Sequence, residues 1–228
     1  MLDDLKKFFD TQIEELHYVK NNLNSSFEKA VQIITSGKGE LLIIGIGKTG
    51  IIGSKIAATL TSIGLRTIYI NAAEAIHGDL GMIKKDDVVI IISYSGNTNE
   101  TIELIPHIKK RNCKLIAITG NEDSKLAKNA NVVMNIKVRN EGNPLNVIPM
   151  ASTTATLLIG DALAFEIIKN KNISIADFAK NHPGGSIGRT LLTKVHDVMS
   201  KKIPTVDETS NLDTILKVVG DFRLGMTL

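Results

Sequence analysis

Nearly continuous apolar runs are the feature that most constrains the fold of this 228-residue chain. LLIIGI, VVIIIS and KLIAIT contain few polar positions, which indicates strands that are buried on both faces beneath helices. Segments with helical spacing lie between these runs, and such alternation is typical of a parallel sheet with helices on both sides. We therefore predict an α/β fold with a doubly wound, parallel five-stranded sheet in the flavodoxin-like strand order.

Helices and strands are predicted over most of the first 180 residues. Apolar residues of segment 2–34 recur at roughly helical spacing, so we predict one or two amphipathic helices that clamp the sheet or a partner subunit. The predicted strands are 41–46, 66–70, 87–93, 114–119 and 132–136, and the helices between them are 50–63, 72–77, 98–111 and 124–129. A long helix at 150–170 and a shorter one at 174–180 then lead into the loop HPGGSIGR.

Composition excludes several classes of protein. The formal net charge is only +3, the basic residues are spread along the chain and 4% of residues are aromatic, so nothing indicates a nucleic-acid surface. The single cysteine, Cys113, excludes an internal disulfide and is expected to be a small core residue. The N-terminus is acidic, and no stretch reads as apolar enough to span a bilayer, so we predict a cytoplasmic protein.

The loop after the first strand, GIGKTG at residues 45–50, has features of an anion site. Its glycines allow close approach of a ligand to the backbone, and it opens a helix whose N-terminus favours negative charge. Lys48 would lie in the first turn of that helix, where the helix dipole disfavours a cation unless an anion is bound beside it. The alternative is a solvated lysine.

The loop after the third strand, SYSGNTNE at residues 93–100, groups the hydroxyls of Ser93, Ser95 and Thr98 around Gly96. Hydroxyl donors and free amides at a helix start form a phosphate cradle that needs no metal. The alternative is a plain turn with a capping box of Asn97 and Glu100. The first and third strands are neighbours in the predicted order, so both loops should lie at one switch point, where ligands bind.

Two nucleotide-binding motifs can be compared with GIGKTG. The spacing of Gly45, Gly47 and Gly50 satisfies G-x-G-x-x-G, but the second strand ends in Asn71 without the acid that would hold a ribose, and only Glu74 lies near. A Walker loop requires a glycine where this chain has Leu42, so that interpretation fails.

Five motifs in this order resemble a known family: GIGK, AAEAIHGDLGM, SYSGNTNE, STTATLLIGDALA and HPGGSIGR. The chain resembles arabinose 5-phosphate isomerase, a family of the sugar isomerase (SIS) domain superfamily, from about residue 40 to its end. The resemblance implies interconversion of D-arabinose 5-phosphate and D-ribulose 5-phosphate on the route to the Kdo sugar of lipopolysaccharide or capsule. It also implies a homotetramer with active sites near subunit boundaries, and no cofactor or metal.

Residue by residue, the resemblance implies four catalytic positions and six that bind substrate. Glu100 matches the base that moves a proton between neighbouring carbons, Lys48 a catalytic lysine, and His182 a histidine suited to ring opening. Glu141 matches a further acid, for which a solvated carboxylate is the alternative. The implied substrate-binding residues are Gly47, Thr49, His77, Ser93, Ser95 and Thr98, with Asp79 near enough in sequence to orient the His77 ring.

Several positions depart from the family pattern. Tyr94 replaces a usual Asn, Asn97 a frequent Glu, Asn143 a common Cys, and Met150 with Ala151 a pair of Thr residues. Asn71 stands where relatives often have a His that can bind inhibitory zinc, so reduced zinc sensitivity is expected. These differences bear on which sugar is bound and leave the proposed chemistry intact.

The tail resembles the start of a CBS domain, a module that follows as a pair in this family. We therefore divide the chain into an isomerase domain, 1–195, and an incomplete CBS region, 196–228. Two other functions are considered: a sugar-phosphate-binding regulator without catalysis, and an SIS isomerase of another sugar phosphate. Regulators usually carry an N-terminal DNA-binding domain, and no helix-turn-helix is evident in the forty or so residues before the sheet.

Overall fold

The computed structural model describes residues 1–228, which form two compact units, Met1–Asn181 and His182–Leu228. The first unit contains a parallel sheet of five strands in the order β2-β1-β3-β4-β5, as predicted. Its strands are β1 (Leu41–Gly45), β2 (Thr67–Asn71), β3 (Val88–Ile92), β4 (Lys114–Thr119) and β5 (Val132–Asn135). Every residue of β1 and β3 is buried, which agrees with their uninterrupted apolar sequences.

Helices cover both faces of this sheet. One layer consists of α1 (Leu2–Asn21), α2 (Ser25–Ser36), α3 (Gly47–Ser62) and α8 (Ala151–Lys171), packed around one apolar cluster. The other consists of α4 (Ala72–Ala75), α5 (Asn99–Ile102), α6 (Ile105–Lys110) and α7 (Lys125–Asn129), packed around a second. Alternate strand residues supply the two clusters: Ile43 belongs to the first, and Leu42 and Ile44 to the second.

The helix predicted at 98–111 is instead two short helices, α5 and α6. Pro106 lies in the first turn of α6 and has no amide hydrogen to donate to Ile102, so the helical ladder is interrupted there. A short 3₁₀ helix, Asp79–Met82, follows α4. Cys113 is buried, as predicted; burial raises the pKa of its thiol, which donates to the carbonyl oxygen of Lys84 at 3.0 Å.

Helix α8 corrects one expectation about membranes. By length and composition alone this 21-residue helix is apolar enough to cross a bilayer, contrary to the prediction from the sequence. Half of its apolar stretch is buried within the protein, however, and α8 packs along α3 as a core helix. Its apolar character therefore matches its position in the interior layer.

Helices α9 (Ile175–Lys180), α10 (Ser186–Leu192), α11 (Val195–Val198) and α12 (Leu212–Phe222) complete the chain. The first of them ends the first unit, and the other three belong to the second. The predicted loop HPGGSIGR is only partly a loop, because α10 begins at Ser186 after the turn of two glycines. The division between the two compact units falls after Asn181. The predicted boundary at residue 195 separates the isomerase domain from the CBS region by resemblance to families, and it stays a prediction.

Candidate functional site

The carboxyl ends of β1 and β3 lie side by side, with Ile44 paired to Ile91 near the end of both strands. The two loops that the sequence singled out leave the sheet at this edge. Helix α8 also begins on this side, because its last residue, Lys171, lines a cleft with Leu41 and Val88 at the opposite, amino-terminal edge. Three loops or helix starts therefore converge where α/β proteins bind ligands.

The glycines of GIGKTG serve two different purposes. Gly47 is the first residue of α3 and has φ +57°, a conformation that favours glycine. No atom would lie within 4 Å of a Cβ at this position. Gly45 and Gly50 instead allow strand and helix to approach: a Cβ on Gly50 would lie 2.4 Å from the Tyr69 hydroxyl. That hydroxyl donates to the carbonyl oxygen of Gly45 at 3.2 Å. Packing thus explains the glycine spacing without a dinucleotide.

Lys48 lies in the first turn of α3, is exposed, and forms no ion pair. Beside it the Thr49 hydroxyl donates to the carbonyl oxygen of Ile46 at 2.9 Å. No acidic residue occupies the first turn of α3, so the positive end of its dipole and the lysine charge act together on this edge. Such an arrangement attracts an anionic ligand.

The SYSGNT loop is held in shape by the buried hydroxyl of Ser93. Ser93 Oγ lies 3.0 Å from Thr98 Oγ1 and accepts from the amide of Gly96 at 3.1 Å. Gly96 has φ +64°, and a Cβ there would lie 2.1 Å from Ser124 Oγ, so only glycine fits. Ser95 is exposed at the tip, where its Oγ accepts from the Asn97 amide at 3.2 Å.

The capping box of Asn97 and Glu100, the alternative considered for this loop, is not observed. Helix α5 starts after Thr98, and no side chain caps it. The Asn97 side chain accepts instead from the amide of Lys125 at 3.0 Å, so it joins this loop to α7. Glu100 is exposed and forms no hydrogen bond or ion pair, which leaves its carboxylate free for a ligand.

His77 is brought toward this region by packing of α4 against α5. It follows α4 directly, its imidazole is exposed, and its amide donates to the carbonyl oxygen of Glu74 at 2.9 Å. No hydrogen bond joins His77 to Asp79, so the predicted orientation of the ring by this carboxylate is not observed. At the start of α4, Asn71 Oδ1 accepts from the Ala73 amide at 2.9 Å.

Glu141 is 8% exposed, which corrects the alternative of a solvated carboxylate. Its Oε2 accepts from the amides of Met150 at 2.7 Å and Ser152 at 3.0 Å, at the start of α8. This acid therefore supplies the cap that Met150, in the N-cap position, cannot provide. The Ser152 hydroxyl beside it is buried without a hydrogen-bond partner.

Three residues near the site were missed by sequence reasoning as functional. Gln12 and Glu15 of α1 are buried and hydrogen-bond to the segment that carries Glu141. Tyr94 Oη donates to the carbonyl oxygen of Val138 at 3.3 Å and accepts from its amide at 3.2 Å. Burial raises the pKa of Tyr94, and the Glu141 and Glu15 carboxylates raise it further. Gln12 and Glu15 could have been identified from the sequence, because they are polar residues within a predicted apolar helix face.

His182 is the first residue of the second unit. Its carbonyl oxygen accepts from the amide of Gly185 at 3.1 Å, and a Cβ on Gly188 would lie 1.9 Å from that oxygen. The HPGG turn is thus tightly wound, whereas a catalytic role for its imidazole stays a prediction. No cluster of three or more His, Cys, Asp or Glu side chains is arranged to hold a metal ion.

Comparison with known proteins identifies relatives over most of the chain. The SIS domain family matches residues 33–165. The chain is 45% identical to an arabinose 5-phosphate isomerase of Francisella tularensis over 96% of this chain and 69% of the relative. It is 40% identical to one of Escherichia coli O6:H1 over 100% of this chain and 70% of the relative.

A solved structure extends the likeness to the fold. A protein of Escherichia coli CFT073 in complex with arabinose 5-phosphate superimposes with a TM-score of 0.76 at 37% identity, covering 78% of this chain and 95% of that one. The chain spans about two thirds of the length of its curated relatives, from 62% of one to 70% of another.

Proposed function

The chain belongs to the SIS-domain family of arabinose 5-phosphate isomerases, and from that premise we propose that it interconverts D-arabinose 5-phosphate and D-ribulose 5-phosphate through an enediol. The observation that carries this proposal is the free Glu100 carboxylate beside a loop of hydroxyls at the switch point of the sheet. A phosphate acceptor and an unengaged base within one short segment suit a sugar-phosphate isomerase.

We propose that the phosphate binds between the GIGKTG and SYSGNT loops. Ser95 and Thr98 offer hydroxyls, and Gly47 and Thr49 belong to the first turn of α3, where amides have no helical acceptor. Ser93 supports this cradle from below, since it is buried and bonded to Thr98 and Gly96. Lys48 adds a full positive charge, which also suits the oxygens of the sugar.

Aldose–ketose isomerisation transfers a proton between C2 and C1, so one base must reach both carbons. We propose that Glu100 removes the proton from C2 of the aldose and returns it to C1 of the enediol. Lys48 and His77 would stabilise the charge that develops on O1 and O2, since the sugar carbons adjoin the bound phosphate. The reaction redistributes hydrogen within one molecule and needs no external oxidant or reductant.

Glu141 and His182 have different places in the proposal. Glu141 already binds two amides through Oε2, so its proposed contribution is to hold α8 and the surrounding loop beside the substrate. His182 remains the proposed acid or base for ring opening, on the strength of the family resemblance of HPGG.

Replacement of Glu100 by Gln is the decisive test. The side chain is exposed and caps nothing, so Glu100→Gln should fold normally while turnover falls about 10²-fold or more. Glu103→Gln is the matched control, because Glu103 is also exposed and lies three positions along the same segment. Exchange of the substrate C2 proton with deuterated water should be lost in the first variant and kept in the second. A Glu100→Gln protein that exchanges at the wild-type rate would remove Glu100 from the mechanism.

We propose a homotetramer, on the basis of apolar surface that the first unit leaves uncovered. Leu2, Leu5, Phe9 and Ile13 are each more than half exposed and recur every three or four residues along α1. Leu158 and Phe165 of α8 are likewise exposed. Light scattering should report four times the mass of one chain, and Phe9→Glu should reduce it, whereas Ile175→Glu on the exposed side of α9 should not. A wild-type monomer at micromolar concentration would contradict the proposal.

The biological setting is proposed on the same premise. Arabinose 5-phosphate serves the formation of Kdo for lipopolysaccharide or capsule, and a cytoplasmic location suits a phosphorylated substrate. The assignment of residues 196–228 to a CBS module also rests on the resemblance alone.

A further inference from the structure

Two buried polar residues of α1 hold the segment that carries Glu141, and we propose that Gln12 and Glu15 are positioning residues of the isomerase site. They would set the turnover number by fixing Glu141 at the start of α8. This inference rests on the proposed function, because Glu141 is assigned to the site on that basis. Its structural part, the coupling of α1 to α8 through Glu141, stands on contacts alone.

Glu15 binds both the backbone amide and the guanidinium of Arg139. Its Oε2 accepts from the Arg139 amide at 2.6 Å, and its Oε1 accepts from the guanidinium Nε at 3.2 Å and NH2 at 3.1 Å. The guanidinium also lies over the Tyr18 ring, one turn further along α1, at 4.7 Å from the ring centroid. Both the backbone and the side chain of Arg139 are therefore fixed against one face of α1.

Gln12 binds the same segment two residues later, at Glu141. Its Nε2 donates to the carbonyl oxygen of Glu141 at 3.0 Å, and both groups are buried. Gly142 has φ +78°, and a Cβ there would lie 2.4 Å from that same Nε2. The positive φ favours glycine at this position, and the chain turns here in contact with the Gln12 side-chain amide.

Hydrogen bonds fix the amide, the carbonyl oxygen and the carboxylate of Glu141. Its amide donates to Asn146 Oδ1 at 2.7 Å, its carbonyl oxygen accepts from Gln12, and its carboxylate accepts from the amides of Met150 and Ser152. A displacement of Arg139 or Glu141 would therefore move the start of α8, on the same sheet edge as Lys48 and Glu100.

The burial of Glu15 argues against a purely stabilising role. Its side chain is only 4% exposed and has lost most of its hydration, whereas the Arg139 side chain is 53% exposed, so water screens the attraction and the ion pair adds little net stability. One turn further along the same face, α1 buries an ordinary apolar side chain, Val19. What a charged, three-contact anchor adds is a defined orientation of the segment that it holds.

The test compares four full-length variants with the wild type. Glu15→Ala removes every contact to Arg139, Glu15→Gln keeps an acceptor for the Arg139 amide, and Gln12→Met removes the donor to Glu141 at similar volume. Glu40→Gln is the control, because Glu40 forms an ion pair with Arg66 beyond the amino-terminal end of β1, at the far edge of the sheet. All are measured well below their melting temperatures, so that loss of folding is not mistaken for loss of positioning.

Two readouts separate positioning from stability. Hydrogen exchange of the Met150 and Ser152 amides should accelerate at least about tenfold in Glu15→Ala and Gln12→Met, while the β1 and β3 amides keep their protection. Turnover should fall at least about fivefold with the KM of arabinose 5-phosphate nearly unchanged, because the cradle hydroxyls have their own bonds. Glu15→Gln should lie between these variants and the wild type, and Glu40→Gln should match the wild type.

Either of two results would overturn the inference: unchanged protection of Met150 and Ser152 in Glu15→Ala and Gln12→Met, or lost protection with wild-type turnover. If Glu15→Ala does not fold, Glu15→Gln and Gln12→Met decide the same questions. A wild-type chain that does not isomerise arabinose 5-phosphate would refute the proposed function, whereas the exchange measurements would still decide whether α1 positions Glu141.

Discussion

Gly160 of α8 lies against Ile56 of α3 so closely that a Cβ at residue 160 would come within 2.3 Å of Ile56 Cγ1. Ile56 is 1% exposed, so its side chain has little room to move away. Lys55 and Asp161, the next residues on each helix, form an ion pair at 2.5 Å. This contact sets how α8 and α3 pack, and both helices begin at the edge of the sheet that carries the candidate site.

Gly160→Ala should destabilise the protein by about 1–2 kcal/mol, although alanine is the better helix former by nearly 1 kcal/mol. Overpacking against Ile56 outweighs helix propensity here. Gly220→Ala in α12 is the control, since nothing lies within 4 Å of a Cβ at that position, and it should be neutral or slightly stabilising. Urea denaturation measures both. Ile56→Ala removes the side-chain atoms that the added Cβ would meet, so it should relieve part of the loss in a double variant, and strictly additive losses would contradict the steric explanation.

Gly96→Ala should damage the cradle more than Gly47→Ala damages the loop after β1. Both residues have positive φ, which costs an alanine about 1 kcal/mol, but only at residue 96 would the Cβ also clash, with Ser124 and Thr119. We expect Gly96→Ala to lose about 2–4 kcal/mol of stability and to raise the KM of the sugar phosphate. Thermal unfolding and steady-state kinetics of the two variants provide the comparison. Equal losses would show that backbone strain alone explains both positions.

Ser93 and Ser95 should respond to alanine in opposite ways. Ser95 is exposed and accepts only a local amide, so Ser95→Ala should leave stability within about 0.5 kcal/mol and raise KM about tenfold through loss of a phosphate contact. Ser93 is buried and bonds Thr98 and Gly96, so Ser93→Ala should cost about 1 kcal/mol of stability. Melting temperatures and KM values for both variants decide the matter. A Ser95→Ala protein with wild-type KM would place the phosphate elsewhere.

Tyr94 should make stability depend on pH above the ordinary range of a tyrosine. Burial raises the pKa of Tyr94 in the folded protein, so its contribution is complete below the unfolded value of about 10 and is lost as pH rises through the folded value. The free energy of unfolding should therefore fall above pH 10, and less steeply in Tyr94→Phe. Urea titrations across that range test this. Parallel curves for the two proteins would show that Tyr94 ionises equally in both states.

The sheet and its order follow from the sequence because buried parallel strands leave an unmistakable apolar pattern, as in VVIIIS. The same reasoning predicted that the loops after the first and third strands lie together. The alternative considered for Asn97, a cap of α5, is not observed, because its side chain accepts from the amide of Lys125 instead. Local spacing gives no sign of a backbone donor 28 positions away.

The environment of Glu141 was equally hidden. Its motif resembles that of a family acid, but burial and the capping of α8 depend on how the irregular segment 139–150 folds back. The spacing of apolar residues does not predict the conformation of such an irregular segment. The contacts of Gln12 and Glu15 join residues 129 and 124 positions apart, and a single sequence contains no record of that pairing.

Those two long-range contacts have a consequence for synthesis of the protein. Helix α1 leaves the ribosome before any strand of the sheet, yet Gln12 and Glu15 cannot meet their partners until the chain beyond residue 141 has emerged. All five strands precede residue 141, so the strands can begin to pair while Gln12 and Glu15 of α1 are still hydrated. The region around Glu141 would then take shape after the sheet, and the nascent chain would acquire an ordered α8 start only when helix α1 docks.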